Sequence, residues 1–174
     1  MTETRNIIDY YHYWDNEAIK ADLDDKRHNF SILCCNVVGD FNLSTIIRNS
    51  NAFLAKEVII YGKKRYDRRG AVGTQNYTNF KYVKIIEDLK EVLHDEKYHV
   101  VGIDNIGDCK NIEKYTWPKD KHVLMIFGEE QIGIPKDVLS LCDDILYINQ
   151  YGSVRSLNVG SASAIAMFSY CSQI

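Results

Sequence analysis

Two stretches near the C-terminal end of the chain hold residue types able to do chemistry: Phe127-Gly-Glu-Glu-Gln-Ile-Gly133 and Ile148-Asn-Gln-Tyr-Gly-Ser-Val-Arg-Ser-Leu-Asn158. Glycines at 128 and 133 let backbone approach a ligand or take conformations closed to other residues. The neighbouring carboxylates and amides are suited to holding hydroxyls and amines. Taken alone, such a loop is equally compatible with a capped turn. A third feature is Lys63-Lys-Arg-Tyr-Asp-Arg-Arg-Gly70, with five basic residues against one acid and an aromatic between them. Phosphate binding is its sharpest reading and a solvated loop its blandest.

These features must be positioned by a chain of 174 residues, enough for one domain with a real core. Hydrophobic content of 45% and charged content of 26% are globular values, and no apolar run approaches bilayer length. With no signal arrangement at the N-terminus, a soluble cytoplasmic protein is expected. The net charge of −3 argues against a protein held to nucleic acid by bulk charge alone, which puts the weight on the local patch at 63–69. Several chemistries lose support. There is no GxGxxG after the first strand, no GxxxxGK[ST] and no GxSxG elbow. Cys34, Cys35, Cys109, Cys142 and Cys171 form neither a CxxC nor a Cys/His cluster of zinc spacing, so buried or incidental thiols and no metal are expected.

Apolar periodicity predicts one or two amphipathic helices over residues 3–25, with Ile7, Ile8, Tyr11, Trp14, Ala18 and Ile19 at 3–4 spacing. Phe30 to Val38 is apolar without alternation, as in a strand buried on both faces. A helix follows, capped by Asp40 or Asn42, which places Asn42 at its start and Arg48 in its second turn. Strands are expected at 57–61, 82–86, 99–103, 122–127 and 144/145–148. Helices are expected at 87–95, from near Pro135, and over 156–171, the last with Leu157, Ala164, Ile165 and Phe168 on its apolar side. Residues 104–121 read as polar connecting chain. The sum is an α/β fold with a six-stranded, mainly parallel sheet and helices on both faces, preceded by a short helical extension (1–28 before a domain of 29–174).

Read together, Asn42-Leu-Ser-Thr-Ile-Ile-Arg48, Phe127-Gly-Glu-Glu-Gln-Ile-Gly-Ile-Pro135 and Ile148 to Val159 resemble, in order and spacing, the three motifs of the SpoU/TrmH branch of the SPOUT RNA methyltransferases. The resemblance runs from about residue 30 to the C-terminus, and the third motif is its most specific part. It implies S-adenosylmethionine as methyl donor, a ribose 2′-hydroxyl of tRNA or rRNA as acceptor, a homodimer, and a C-terminal trefoil knot. By position, Gly128, Ile148 and Leu157 fall on the family's donor-binding residues, with Phe127, Glu129, Gly133, Gln150 and Ser156 around them. Asn42, Arg48, Glu130, Ser156 and Asn158 fall on its polar active-site positions, with Glu129 as the alternative carboxylate. Lys63, Lys64, Arg65, Arg68, Arg69 and Arg155 form the expected RNA-binding set. A second reading is a non-catalytic RNA-binding protein with the knotted fold, and a third a related enzyme that methylates a base.

Two positions depart from the family pattern. Ser44 stands where Gly is common, with the expectation that it crowds the substrate's approach, and Gly160 stands where Ser is usual. The resemblance includes no appended RNA-binding domain, so target choice is expected to rest on the N-terminal helices, the Lys63–Arg69 loop and the dimer surface.

Overall fold

Seven parallel strands, β1 (Phe30–Cys35), β2 (Val58–Tyr61), β3 (Phe80–Val83), β4 (His99–Ile103), β5 (Lys110–Asn111), β6 (Val123–Phe127) and β7 (Asp144–Tyr147), form one sheet in the order β3-β2-β1-β6-β4-β7-β5. The structure is a computed structural model that describes residues 5–35, 40–129 and 132–174, except for the side chains of Asp40 and Phe41. The helices are α1 (Asn16–Asp24), α2 (Asp40–Ala52), α3 (Ile86–Glu96), α4 (Lys136–Leu139) and α5 (Val159–Cys171). Among the described residues no helix is long and apolar enough to cross a membrane.

The central strands β1 and β6 are buried at every position, which is why their sequences lack alternation. Their side chains split between two cores. On one face Ile32, Cys34, Met125 and Phe127 meet Leu43, Ile46 and Ile47 of α2 and Ala166, Met167 and Tyr170 of α5. On the other, Leu33, Cys35, Leu124 and Ile126 meet Leu89 of α3 and Val138 of α4. Each fully buried aliphatic contributes roughly 1.5–3 kcal/mol relative to exposure.

The seventh strand lies inside the supposed connecting chain. Lys110 and Asn111 pair with Leu146 and Tyr147, a register too short for any pattern to announce. What holds them is tertiary: Lys110 pairs with Asp144, which also accepts from Tyr115 Oη (2.6 Å) and lies 3.0 Å from His99 Nε2. In the same segment Trp117 is buried and its indole N–H donates to Ser169 of α5 (3.1 Å). The third strand sits earlier than expected, at Phe80–Val83, because it pairs with β2 from Val58 onward.

The long final helix starts at Val159, with Asn158 as its N-cap accepting from Ser161 N (3.2 Å). Its buried side is Gly160, Ser163, Ala166, Met167 and Tyr170, whereas Ile165 and Phe168, expected inside, are 39% and 64% exposed. Apolar residues surround the whole helix, so periodicity cannot choose its inward face. Pro135 likewise stands just before α4, as its N-cap, instead of in its first turn. At the N-terminal end Tyr11 and Ile19 close over Tyr77, and Asp15 caps α1 by accepting from Ala18 N (2.7 Å). That segment covers the domain, though Ile8 on it is 66% exposed.

Candidate active site

A cavity of about 780 Å³ opens at the carboxyl ends of β4, β6 and β7. In parallel sheets this end is where crossovers leave room for ligands, and the volume suits a nucleoside-sized molecule. Three chain segments build it: the end of β4 with Ile103 and the Asp104 that follows it, the loop after β6 with Gly128, Glu129 and Gly133, and the segment after β7 with Ile148, Gln150 and Arg155 to Asn158.

The loop after β6 is a tight hairpin closed by two reciprocal bonds, Glu129 N to Gly133 O (2.9 Å) and Gly133 N to Glu129 O (2.8 Å). Gly133 has φ of 69°, a conformation that penalises side chains, and a Cβ there would stand 2.6 Å from Asp104 Oδ2. At Gly128 the objection is space: a Cβ would lie 2.1 Å from the carbonyl carbon of Gly133 and 2.2 Å from Ile134 N. Asp104 locks this arrangement from the next strand, accepting from Ile134 N at 2.8 Å and from Asn105 N at 2.7 Å. Asn105 in turn donates to the carbonyl of Arg155 (3.1 Å), tying the loop after β4 to the segment after β7. Neither residue was among the sequence candidates. The only hint was an acid directly after a strand of parallel type.

Of the expected donor-binding residues, Gly128, Glu129, Gly133, Ile148, Gln150, Ser156 and Leu157 line the cavity. Phe127 does not: as the last residue of β6 its side chain is fully buried in the sheet core, and only its backbone leads into the loop. Glu130 lies outside the described residues. The cavity also fits a methyl donor with a sulfonium and an adenine. Glu129 provides a carboxylate, Ile103, Ile148 and Leu157 an apolar wall, and the Oε1 of Gln150 is buried with no hydrogen-bond partner, an acceptor that a ligand amine would satisfy.

The first motif reaches this cavity through α2. Asn158 Nδ2 donates to Asn42 Oδ1 (2.7 Å), across 116 positions of sequence. One turn on, Gly160 packs against Thr45, where a Cβ would meet Thr45 Cγ2 at 2.8 Å. A turn further, Asn49 Nδ2 donates to Gly160 O and Ser163 Oγ, both at 2.9 Å. Asn42, Thr45 and Asn49 thus form the i, i+3, i+7 ridge that α5 packs on, and a small residue at 160 is what permits the approach. Asn42 is the third residue of α2 and not its cap, and Arg48 is the ninth, in the third turn. Arg48 is exposed and does not line the cavity.

The expected crowding by Ser44 does not arise. Its side chain is fully buried and its hydroxyl donates to the carbonyl of Asp67, fastening the basic loop to α2 one turn before Arg48. Lys63, Lys64, Arg65, Arg68 and Arg69 are all exposed on that loop. Arg69 is engaged with Asp67, its Nε 2.8 Å from Oδ2, and this pair holds the Asp67 carboxyl below its usual range. Arg155 is separate from the loop, on the cavity wall. Burial keeps the nearby thiols neutral, with Cys142 pushed up to about 12 and Cys35 well above the usual thiol range. Neither offers a thiolate nucleophile at neutral pH.

The SpoU rRNA methylase family model matches residues 29–168. The chain belongs to the SpoU methylase family. Among curated relatives of the family, it is 28% identical over 158 residues to tRNA (guanosine(18)-2'-O)-methyltransferase of Thermus thermophilus, covering 86% of this chain and 78% of that one. To the enzyme of the same name from Escherichia coli it is 29% identical over 133 residues, which cover 73% of this chain and 56% of that one. Its fold is similar to the Aquifex aeolicus TrmH/SpoU tRNA modifying enzyme (TM-score 0.78, 20% identity, 91% of this chain and 83% of that one). It is also similar to the SpoU methyltransferase AviRb from Streptomyces viridochromogenes, solved in complex with AdoMet (TM-score 0.75, 23% identity, 84% of this chain). The match covers 58% of the AviRb chain, less than two thirds, as for the Escherichia coli relative.

Proposed function

We propose that this SpoU-family protein transfers the methyl group of S-adenosylmethionine to a ribose 2′-hydroxyl of tRNA or rRNA. The observation that carries the reading is one cavity walled by the second and third motifs and shaped by Gly128 and Gly133, with the first motif's Asn42 bonded to Asn158 of its lining. Relatives named for guanosine 18 of tRNA make tRNA the first acceptor to test.

When bound, S-adenosylmethionine supplies an electrophilic methyl group on a sulfonium. The glycine loop, together with Ile148, Gln150, Ser156 and Leu157, holds that donor, and Gln150 satisfies one of its amines. In-line displacement requires the ribose oxygen to be aligned with methyl and sulfur, so positioning carries most of the rate. Arg48, on the exposed face of α2, anchors an RNA phosphate and polarises the ribose oxygen. A guanidinium with a pKa above 12 is a poor base at neutral pH, which is why the role is anchoring. Asn42, Ser156, Asn158 and Glu130 orient Arg48, the ribose or the donor, and Lys63, Lys64, Arg65, Arg68 and Arg69 extend the phosphate track with Arg155 at the cavity.

The working unit in this reading is a cytoplasmic homodimer, supported by the exposed Ile165 and Phe168 on α5, an apolar pair that a second copy would cover. The segment from β6 to α5 forms a trefoil knot. The strand order supports it, since β6 inserts between β1 and β4 while α5, arriving from β7, packs on the helix that follows β1. Residues 1–28 are a helical extension to a methyltransferase domain of 29–174.

Calorimetry with S-adenosylmethionine, paired with transfer of labelled methyl to bulk tRNA, tests the proposal. Binding heat and 2′-O-methyl nucleosides are expected. A chain that binds RNA without binding the donor would instead be a non-catalytic RNA-binding protein of the same fold.

A further inference from the structure

β3 is the terminal strand of the sheet, so among the described residues one of its edges pairs with no other strand. Phe80 and Tyr82, two positions apart, share the face on which α2 lies. Phe80 packs into the core beneath α2, with Tyr66 of the basic loop against it at 6.5 Å between ring centroids. Tyr82 stacks on Phe80 (6.1 Å, 20° between planes) and remains 41% exposed. Lys64 Nζ stands 4.3 Å over the Tyr82 ring. Because all strands are parallel, Tyr82 lies toward the same end of the sheet as the cavity, and the Ser44–Asp67 bond locks its covering loop to α2 one turn from Arg48.

Phe80 and Tyr66 already fill the space under the sheet edge, so the core has no need of the Tyr82 ring. Its ring is only partly covered, with Lys64 over one face, beside the basic loop of an acidic chain and two residues before Lys84. We propose that Tyr82 is a stacking platform for an unpaired base of the RNA substrate, and that Lys64 yields the ring to the base and moves to an adjacent phosphate. This rests on the functional reading above and assigns that site's substrate an unpaired base bound at the β3 edge of the sheet, away from the cavity. Magnitudes favour the exchange: an exposed cation–π contact is worth about 0.5–1 kcal/mol and base stacking on an aromatic about 1–3 kcal/mol.

The test measures the affinity of bulk unmodified tRNA, and of a single-stranded RNA of about twelve nucleotides, across a salt series. Tyr82→Ala is expected to weaken binding of both roughly ten-fold with an unchanged salt slope, since no phosphate contact is lost. Tyr82→Phe should stay within about two-fold of wild type. Lys64→Gln should flatten the slope by about one phosphate contact. Donor affinity, measured by calorimetry, should be unchanged in all three. Wild-type RNA affinity in Tyr82→Ala, or loss through a flattened slope, overturns the platform. So does a Tyr82→Ala protein whose RNA affinity holds while its oligomer dissociates, which would make the edge a protein contact. If wild type binds neither donor nor RNA, it is the functional reading that fails.

Discussion

Replacing Gly128 by Ala tests the glycine cradle most directly. The added Cβ would lie 2.1 Å from Gly133 C, 2.2 Å from Ile134 N and 2.5 Å from Gly133 O, all backbone atoms. Ordinary contact begins near 3.4 Å, so the far side of the hairpin must retreat by more than about 1 Å. That retreat breaks the two Glu129–Gly133 bonds and the Ile134–Asp104 bond. At about 1 kcal/mol each the loss is about 3 kcal/mol, or about 6–12 °C in Tm for a chain of this size. Losing one or two donor contacts of about 1.4 kcal/mol lowers S-adenosylmethionine affinity by about 10–100-fold. Thermal denaturation and calorimetry measure the two effects. Gly152→Ala, on the neighbouring segment with nothing within 4 Å of its added Cβ, is the matched control and should leave both unchanged. A Gly128→Ala protein with wild-type donor affinity and Tm would refute the idea that backbone proximity at 128 and 133 forms the donor site.

Arg48→Lys is expected to lower methyl transfer by about ten-fold or more while donor affinity holds, because a lysine cannot bind bidentately. Near-normal turnover with full RNA binding would exclude that role. Asn158→Ala removes both the α5 cap and the bond to Asn42, for a loss of about 1–3 kcal/mol readable by chemical denaturation. Neutralising Lys63, Lys64, Arg65, Arg68 and Arg69 together should weaken tRNA binding and flatten its dependence on log salt, and an unchanged slope would remove the loop from the RNA track. His122, held neutral by burial, has its pKa lowered from 6.5 to about 4, with Ser31 Oγ 2.9 Å from Nε2. The unfolded chain therefore takes up that proton first as the solution is acidified. The stability from His122 is full above pH 6.5 and declines between 6.5 and 4, by about 2 kcal/mol after discounting for partial exposure. His122→Asn should show a correspondingly smaller fall in Tm across that window.

Much of the molecule was legible in the amino-acid order because local rules write it there. Buried parallel strands are unbroken apolar runs, so β1, β4 and β6 stood out, and the polar residues of three ordered segments carried a specific family resemblance. The strand at Lys110–Asn111 was hidden, since two residues have no period and are held by Asp144 from a strand thirty-odd positions away. The inward face of α5 was equally undetermined, because a helix apolar all round takes its orientation from what it packs on: Thr45 packs against Gly160, Asn49 donates to Gly160 O and Ser163 Oγ, and Ile165 and Phe168 are left outside. Sequence alone determined which residues were chemically capable and that their spacing matched a methyltransferase family. Only the tertiary structure decided that Asp104 locks the glycine loop, that Ser44 bolts the basic loop to α2, and that Phe127 belongs to the core. The physical reason is the same in each case: a hydrogen bond or steric contact between residues far apart in the chain leaves no mark on the local pattern of either partner.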